Sequence, residues 1–367
     1  MKYNEDKRTV MTLDAGGTNF VFSAIKGNKN VIENIVMPSN ADDLDKCLYS
    51  IIYGFEQVKL RLNENPVAIS FAFPGPADYP NGIIGDLQNL PAFRGGIALG
   101  PMLAEKFGIP VYINNDGDLY AYGEALSGYL PDLNEKLEKS GSPKRFKNLL
   151  GLTLGTGFGA GIVRDGNLLL GDNSIAGEIW LSRDKLCPAT NIEEHASIRG
   201  IKKIYIRESG ISADVVPEPK DIYEIALGKK GGNINAAKKA FEEMGEAVGD
   251  AISNAITLID GIAVIGGGLS GAAEIFLPAV VKEMNSNFIN PDGTEFPRLV
   301  AKVYNLEDED DMQQFVKGSN KKIKIPGTEK TIQYDSEMRV GIGISKIGTS
   351  SAISLGAYAF ALNSLDK

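Results

Sequence analysis

The chain has 367 residues, 43% of them hydrophobic and 23% charged, with 38 basic residues against 47 acidic ones and a formal net charge of -9. This composition excludes a disordered chain and allows two domains with cores of their own. The acidic excess, with no stripe of Lys and Arg, excludes a nucleic-acid partner, and no apolar run is long enough to span a bilayer, so no membrane role is expected. The N-terminal stretch MKYNEDKRTV lacks the apolar centre of a signal peptide, and the protein is read as cytoplasmic. Cys47 and Cys187 are too few for a disulfide framework, and with the single His195 they leave a zinc site of three or four Cys/His ligands short of donors.

In chain order, VMTL (10 to 13) and FVFSAI (20 to 25) predict two strands around the glycine turn DAGGTN. A plain hairpin needs only Asn-Gly or Asp-Gly. DAGGTN adds a bare backbone, a hydroxyl and a carboxylate, a combination suited to a phosphate and its metal ion. Residues 41 to 60 predict a helix, because Leu44, Cys47, Leu48, Ile51, Ile52 and Phe55 recur at helical spacing, which also assigns Cys47 to the core. VAISFAF (67 to 73) reads as a buried strand ending in PGP, and VYIN (111 to 114) as another ending in NDGD. Strands alternating with helices predict an α/β protein whose ligands gather at strand ends.

The second half repeats this theme. LLGLTLGTGFGAGIV (149 to 163) is again strand, glycine turn and strand, and two similar hairpins predict duplicated half-domains. Phe241, Met244, Val248, Ile252, Ile256 and Ile259 fall on one face of a helix that leads into the strand IAVIGGGLSG. The charged stretches 131 to 148 and 305 to 335 read as surface insertions with no catalytic part. Taken singly, each glycine cluster reads first as a tight turn. Three of them, each after a strand, with Asp14 and Asp116 also at strand ends, favour a ligand site. None matches GxxxxGK[ST], and none has the Rossmann strand-to-helix context.

DAGGTN, PGPAD, INNDGDLYAYGEA, LTLGTGFGAGIV, AGEI, IEEHAS and VIGGGLS occur in this order, and with them the chain resembles the ROK-family sugar kinases of the actin, hexokinase and Hsp70 superfamily. The resemblance covers nearly the whole chain. It implies an α/β, two-lobed, actin-like ATPase fold built from duplicated ribonuclease H-like halves. The smaller lobe is expected at residues 1 to 117 plus about 350 to 367, and the larger at 118 to 349. Also implied are ATP and Mg2+ as cofactors, a small-molecule sugar as substrate, a homodimer, and lobes that close on the sugar.

The resemblance makes Gly16, Gly17 and Thr18 the first phosphate hairpin, and Gly155, Thr156 and Gly157 the second. Gly266, Gly267 and Gly268 match the adenosine loop, although close packing of a helix on a strand also explains them. Asp14 is expected to hold Mg2+ through water, against the alternative of an Asx turn. Asp116 is the expected general base and Asn115 a sugar contact, while Asp118 reads as the N-cap of the next helix. Glu178 and Glu193 match the sugar-binding glutamates, with a solvated surface acid as the plain alternative, the fate also expected of Glu194. Gly75 and Asn89 match positions near the sugar.

This chain departs from the family where AGEI continues as Trp180 and Leu181 in place of Gly-His, and where only Cys187 remains of the usual cysteines. Structural zinc is therefore not expected. Trp180 reads as packing that fills the vacated space, with stacking on a sugar as the alternative. His195 reads as packed or partly exposed. The leading function is phosphorylation of a hexose of glucose, fructose or mannose type. The alternatives are an N-acetylhexosamine kinase, acting on N-acetylglucosamine or N-acetylmannosamine, or a non-catalytic ROK-type sugar sensor. The hairpin starting at Asp14 is expected to leave no room for an N-terminal DNA-reading module. A role as an ATPase or assembly factor is weaker still, because Glu178, Glu193 and NND serve a sugar.

Overall fold

The strands Val10–Ala15 and Asn19–Lys26 form the first hairpin, in antiparallel register from Val10 opposite Ile25 to Ala15 opposite Phe20. Val10–Ala15 pairs in parallel with Ala68–Ala72, which pairs in parallel with Val111–Asn114. All five residues of the middle strand are buried, the run of apolar residues expected of a parallel strand covered on both faces. Side chains alternate between those faces. Met11, Leu13, Ile69 and Phe71 join a core with Cys47, Ile51 and Phe55 of the helix Leu44–Arg61. Val10 and Ala68 instead pack with Tyr358, Ala361 and Leu362 of the C-terminal helix Thr349–Leu365. Cys47 is fully buried, which pushes its thiol up to about 11, so it belongs to packing as predicted.

This computed structural model describes residues 2–16, 18–75, 77–87 and 92–367. The chain divides into two compact units. Unit 1 comprises Met1–Pro131, Gly161–Gly177 and Ile347–Lys367, and unit 2 comprises Asp132–Ala160 and Glu178–Lys346. Unit 1 thus takes in 118 to 131 and 161 to 177, which the sequence reading assigned to the larger lobe. The reason is packing between two helices. Asp116–Leu126 lies against Thr349–Leu365 at backbone contact, where a Cβ at Gly123 would strike the Ala352 carbonyl and one at Gly356 the Leu119 carbonyl.

Beside the short edge strand Asn167–Leu168, the second sheet runs in the order Phe158–Arg164, Leu149–Leu154, Ile262–Gly266, Arg339–Ile344, Lys302–Asn305. Its first four strands repeat the order of the first sheet, hairpin partner, hairpin strand and two parallel neighbours, as the predicted duplication requires. The helix Ile234–Ile259 buries Phe241, Met244, Val248, Ile252 and Ile256, while Ile259 is half-buried. It lies close to Ala273–Met284, where a Cβ at Gly245 would come within 2.5 Å of the Phe276 carbonyl oxygen.

The stretches read as surface insertions are only partly so. The helix Tyr129–Lys139 buries Leu133 and Leu137, and Glu309–Lys317 buries Phe315, whose ring stacks 5.4 Å from that of Phe146. A buried Arg339–Asp335 ion pair at 2.6 Å closes this corner. What projects from unit 2 is the exposed hairpin Asn320–Lys324 and Thr331–Asp335. Among the described residues no helix is long and apolar enough to cross a membrane.

Candidate active site

In unit 1 the sheet register sets the site. Asp14 lies opposite Ala72, and Ala72 opposite Asn114, in strands that run the same way. The segments after Asp14, Ala72 and Asn114 therefore leave the sheet at the same, C-terminal end of its strands, where parallel α/β sheets bind ligands. Asp14 and Asp116 each keep an exposed face, yet both carboxyls are pushed above the ordinary range. For Asp14 the cause is burial and then the negative charge of Asp116. For Asp116 it is burial, partly offset by the Gly117 N–H at 2.9 Å. A pair of like charges on neighbouring segments fits a small divalent cation, which Asp14 would hold with water completing its shell. Asp14 also borders a polar cavity of about 330 Å³ that Ser23, Asn30, Asn34 and Ser351 help to line.

The helix that follows begins at Asp116, one turn earlier than expected. Its N-cap is Asn115, whose Oδ1 accepts from the Gly117 N–H at 2.8 Å. Asp118 is not the cap: it sits inside the first turn and is only 3% exposed. Gly16 is required by its turn, since a Cβ there would lie 2.8 Å from the Asn19 carbonyl oxygen. Thr18 is exposed and its carbonyl accepts from the Ser39 N–H at 3.0 Å. A Cβ at Gly75 would meet the Tyr79 hydroxyl at 3.0 Å, and that hydroxyl donates to the Phe73 carbonyl at 2.9 Å. Gly17 and Asn89 lie outside the described residues.

Unit 2 carries the other half of the predicted set. In the second hairpin the Gly155 N–H donates to the Gly157 carbonyl at 3.0 Å, closing the turn. Glu193 Oε2 accepts from the Phe158 N–H at 3.1 Å, while its Oε1 lies 3.5 Å from Arg199. Glu194 pairs with Arg199 and Lys203 at the surface, and the two cations hold its carboxyl below the ordinary range. Gly267 has φ +88, and a Cβ there would strike the Leu154 backbone, so glycine is required for close packing on the Leu149–Leu154 strand. A Cβ at Gly268 would meet nothing within 4 Å.

Glu178 is exposed, and the Trp180 indole N–H donates to its Oε2. Trp180 is half-exposed, so the packing role assigned to it is replaced by that of a hydrogen-bond donor to Glu178. His195 is largely covered and bonds through Nδ1 to the fully buried Asp184. Asp184 Oδ1 also accepts from the N–H groups of Leu186 at 2.8 Å and Cys187 at 3.2 Å. A carboxylate and an imidazole thus tie the 184–195 loop. Cys187 is exposed.

Sequence reasoning missed Gly161 and, at Trp180, the donor role of the indole N–H. A Cβ at Gly161 would lie 2.5 Å from the Gly117 carbonyl oxygen and 2.7 Å from Asp118 Cα, so this glycine lets its strand press on the first turn of the Asp116 helix. An isolated glycine inside a strand pattern signals such an approach.

The duplicated sheets and the paired glycine hairpins define an α/β protein of the actin-like class. The family model described as ROK family matches residues 10–305, and the chain belongs to that family. It is similar to the crystal structure of a glucokinase from Parabacteroides distasonis ATCC 8503, with 53% sequence identity and a TM-score of 0.91 over 99% of each chain. It is 28% identical to an N-acetyl-D-glucosamine kinase of Photobacterium profundum, over 70% of this chain and 83% of that one. With a glucokinase of Halalkalibacterium halodurans it shares 26% identity, over 79% of this chain and 89% of the other.

Proposed function

We propose that this ROK-family sugar kinase transfers the γ-phosphoryl group of ATP to a hydroxyl of a hexose of glucose, mannose or fructose type. The observation that carries the reading is the register of Asp14, Ala72 and Asn114, which brings two carboxylates and a glycine-bearing loop to the C-terminal ends of neighbouring strands. In this reading Asp116 accepts the proton of the attacking hydroxyl, and its raised affinity for protons suits that task at neutral pH. The Asn115 amide, Glu178 and Glu193 bind the remaining hydroxyls, each of which would cost about 1 to 3 kcal/mol if desolvated without a partner. The N–H groups of the Gly16–Thr18 and Gly155–Gly157 turns receive phosphate oxygens, with glycine removing the Cβ that would block approach. Mg2+ held by Asp14 would neutralise charge on the phosphate oxygens. A homodimer in the cytoplasm belongs to the same reading.

An N-acetylhexosamine is the second reading, favoured by the similarity to an N-acetyl-D-glucosamine kinase. The 53% identity to a glucokinase favours glucose. A coupled ADP-release assay with glucose, mannose, fructose, N-acetylglucosamine and N-acetylmannosamine tests both. The hexose reading predicts the highest kcat/KM for a hexose, and a preference for an acetylated sugar overturns it in favour of the second.

A further inference from the structure

The Glu193 carboxylate divides its two oxygens between the second glycine turn and the helix Ile198–Ser209. Oε2 accepts from the Phe158 N–H at 3.1 Å, directly behind the Gly155–Gly157 turn, and Oε1 lies 3.5 Å from the Arg199 guanidinium. The same segment grips the turn a second time, through the Ile198 N–H donating to the Gly155 carbonyl at 2.9 Å. Ser197 locks the segment in turn, since its hydroxyl donates to the Glu193 carbonyl at 2.7 Å and then caps the helix Ile198–Ser209. Finally, Gly157 has no room for a side chain on the Glu193 side: its Cβ would lie 2.7 Å from Oε2. The turn and the glutamate are thus fitted to each other over four residues.

We infer that Glu193 is a positioning residue for the nucleotide as well as a sugar ligand, its Oε2 bracing the second phosphate hairpin while Oε1 receives a sugar hydroxyl. The inference rests on the assignment of that hairpin to ATP phosphates in the proposed function. A glutamate that only binds sugar has no effect on nucleotide affinity when sugar is absent. A bracing glutamate does, because an unbraced turn must be ordered by the nucleotide itself.

The test is calorimetric titration of sugar-free protein with MgADP, on wild type, Glu193→Ala, Glu193→Gln, Gly157→Ala and the Glu193→Ala/Gly157→Ala double variant, with thermal melts to check folding. Glu193→Ala should weaken MgADP by about fivefold, the worth of one hydrogen bond. Glu193→Gln keeps an acceptor for the Phe158 N–H and should stay within about twofold. Its sugar KM should nevertheless rise. In Gly157→Ala the new methyl displaces only the end of a flexible side chain, so the variant should fold and lose MgADP affinity like Glu193→Ala. The double variant should lose little more than either single one.

Unchanged MgADP affinity in Glu193→Ala overturns the brace and leaves Glu193 a sugar ligand only. Additive losses in the double variant also overturn it, since the added methyl would then be obstructing phosphate directly. Should Glu193→Ala fail to fold, Gly157→Ala and Glu193→Gln decide: loss in the first with retention in the second supports the brace, and any other pairing overturns it. Wild-type protein that binds no MgADP overturns the kinase reading itself, and the inference with it.

Discussion

Asp116 keeps an exposed face, yet desolvation by the protein around it raises its proton affinity, and Asp14 carries a second like charge nearby. A carboxyl with a raised folded-state pKa favours the native state while both states are protonated, and penalises it as pH rises through the folded value. Asp116→Asn should therefore raise the melting temperature at pH 7 in EDTA, with the gain shrinking as pH falls toward the ordinary aspartate value. A lower melting temperature at pH 7 contradicts this. In wild type the acid limb of kcat/KM should lie above that ordinary value, because activity needs the ionised base. Trp180 yields a second expectation. Trp180→Phe keeps the ring and removes the N–H that holds Glu178, so KM for sugar should rise about three- to tenfold with kcat little changed, the signature of lost binding. A fall in kcat alone would assign Trp180 elsewhere. The donor role was hidden from the sequence because a tryptophan beside a lost zinc module satisfies the pattern equally well as packing.

The Asp116 helix is placed by glycines at the scale of whole elements. Gly123 and Gly356 bring it against the C-terminal helix, and Gly161 brings a strand against its first turn. Gly356→Ala would drive a methyl into the Leu119 carbonyl, a backbone atom that cannot rotate away, and should destabilise the protein by about 2 to 3 kcal/mol or more in urea denaturation. A cost below about 0.5 kcal/mol would show that this crossing is loose. Helices and strands with strong periodicity were legible: the helix read at 41 to 60 is Leu44–Arg61, the apolar face from Phe241 to Ile259 lies on Ile234–Ile259, and both hairpins form where the apolar spacing puts them. The start of the Asp116 helix was not, because Asn115 and Asp118 are equally good caps by composition and only the backbone tells which one accepts from Gly117. The charged stretches misled for a similar reason, since one Phe315 or Leu137 per turn buries a helix that charge density makes look solvated.

For the molecule as a whole, the duplication seen in the glycine turns reappears as a repeated sheet order, so the duplication was legible from two hairpins, while the fold itself was legible only through the family resemblance of the motifs taken together. Helix-to-helix contact places residues 118 to 131 in unit 1, and no composition shift in the sequence marks that placement. In the 184–195 loop, Asp184 and His195 bond to each other and the loop N–H groups close on the carboxylate. Elemental analysis of purified protein should accordingly find no stoichiometric zinc, and a zinc-selective chelator should leave the melting temperature unchanged. One tightly bound zinc per chain contradicts this.

The central claim is that Asp116 is the base of a sugar kinase, and the most direct measurement is the turnover number of Asp116→Asn beside Asp118→Asn, with saturating sugar and MgATP. The amide introduced by Asp116→Asn can still accept from the Gly117 N–H but cannot take a proton, so kcat should fall by about 10² to 10⁴ while sugar affinity measured by calorimetry changes little. Asp118→Asn, within the helix, should stay within about tenfold of wild type. A kcat for Asp116→Asn equal to that of wild type, or a larger loss in Asp118→Asn, would contradict the account.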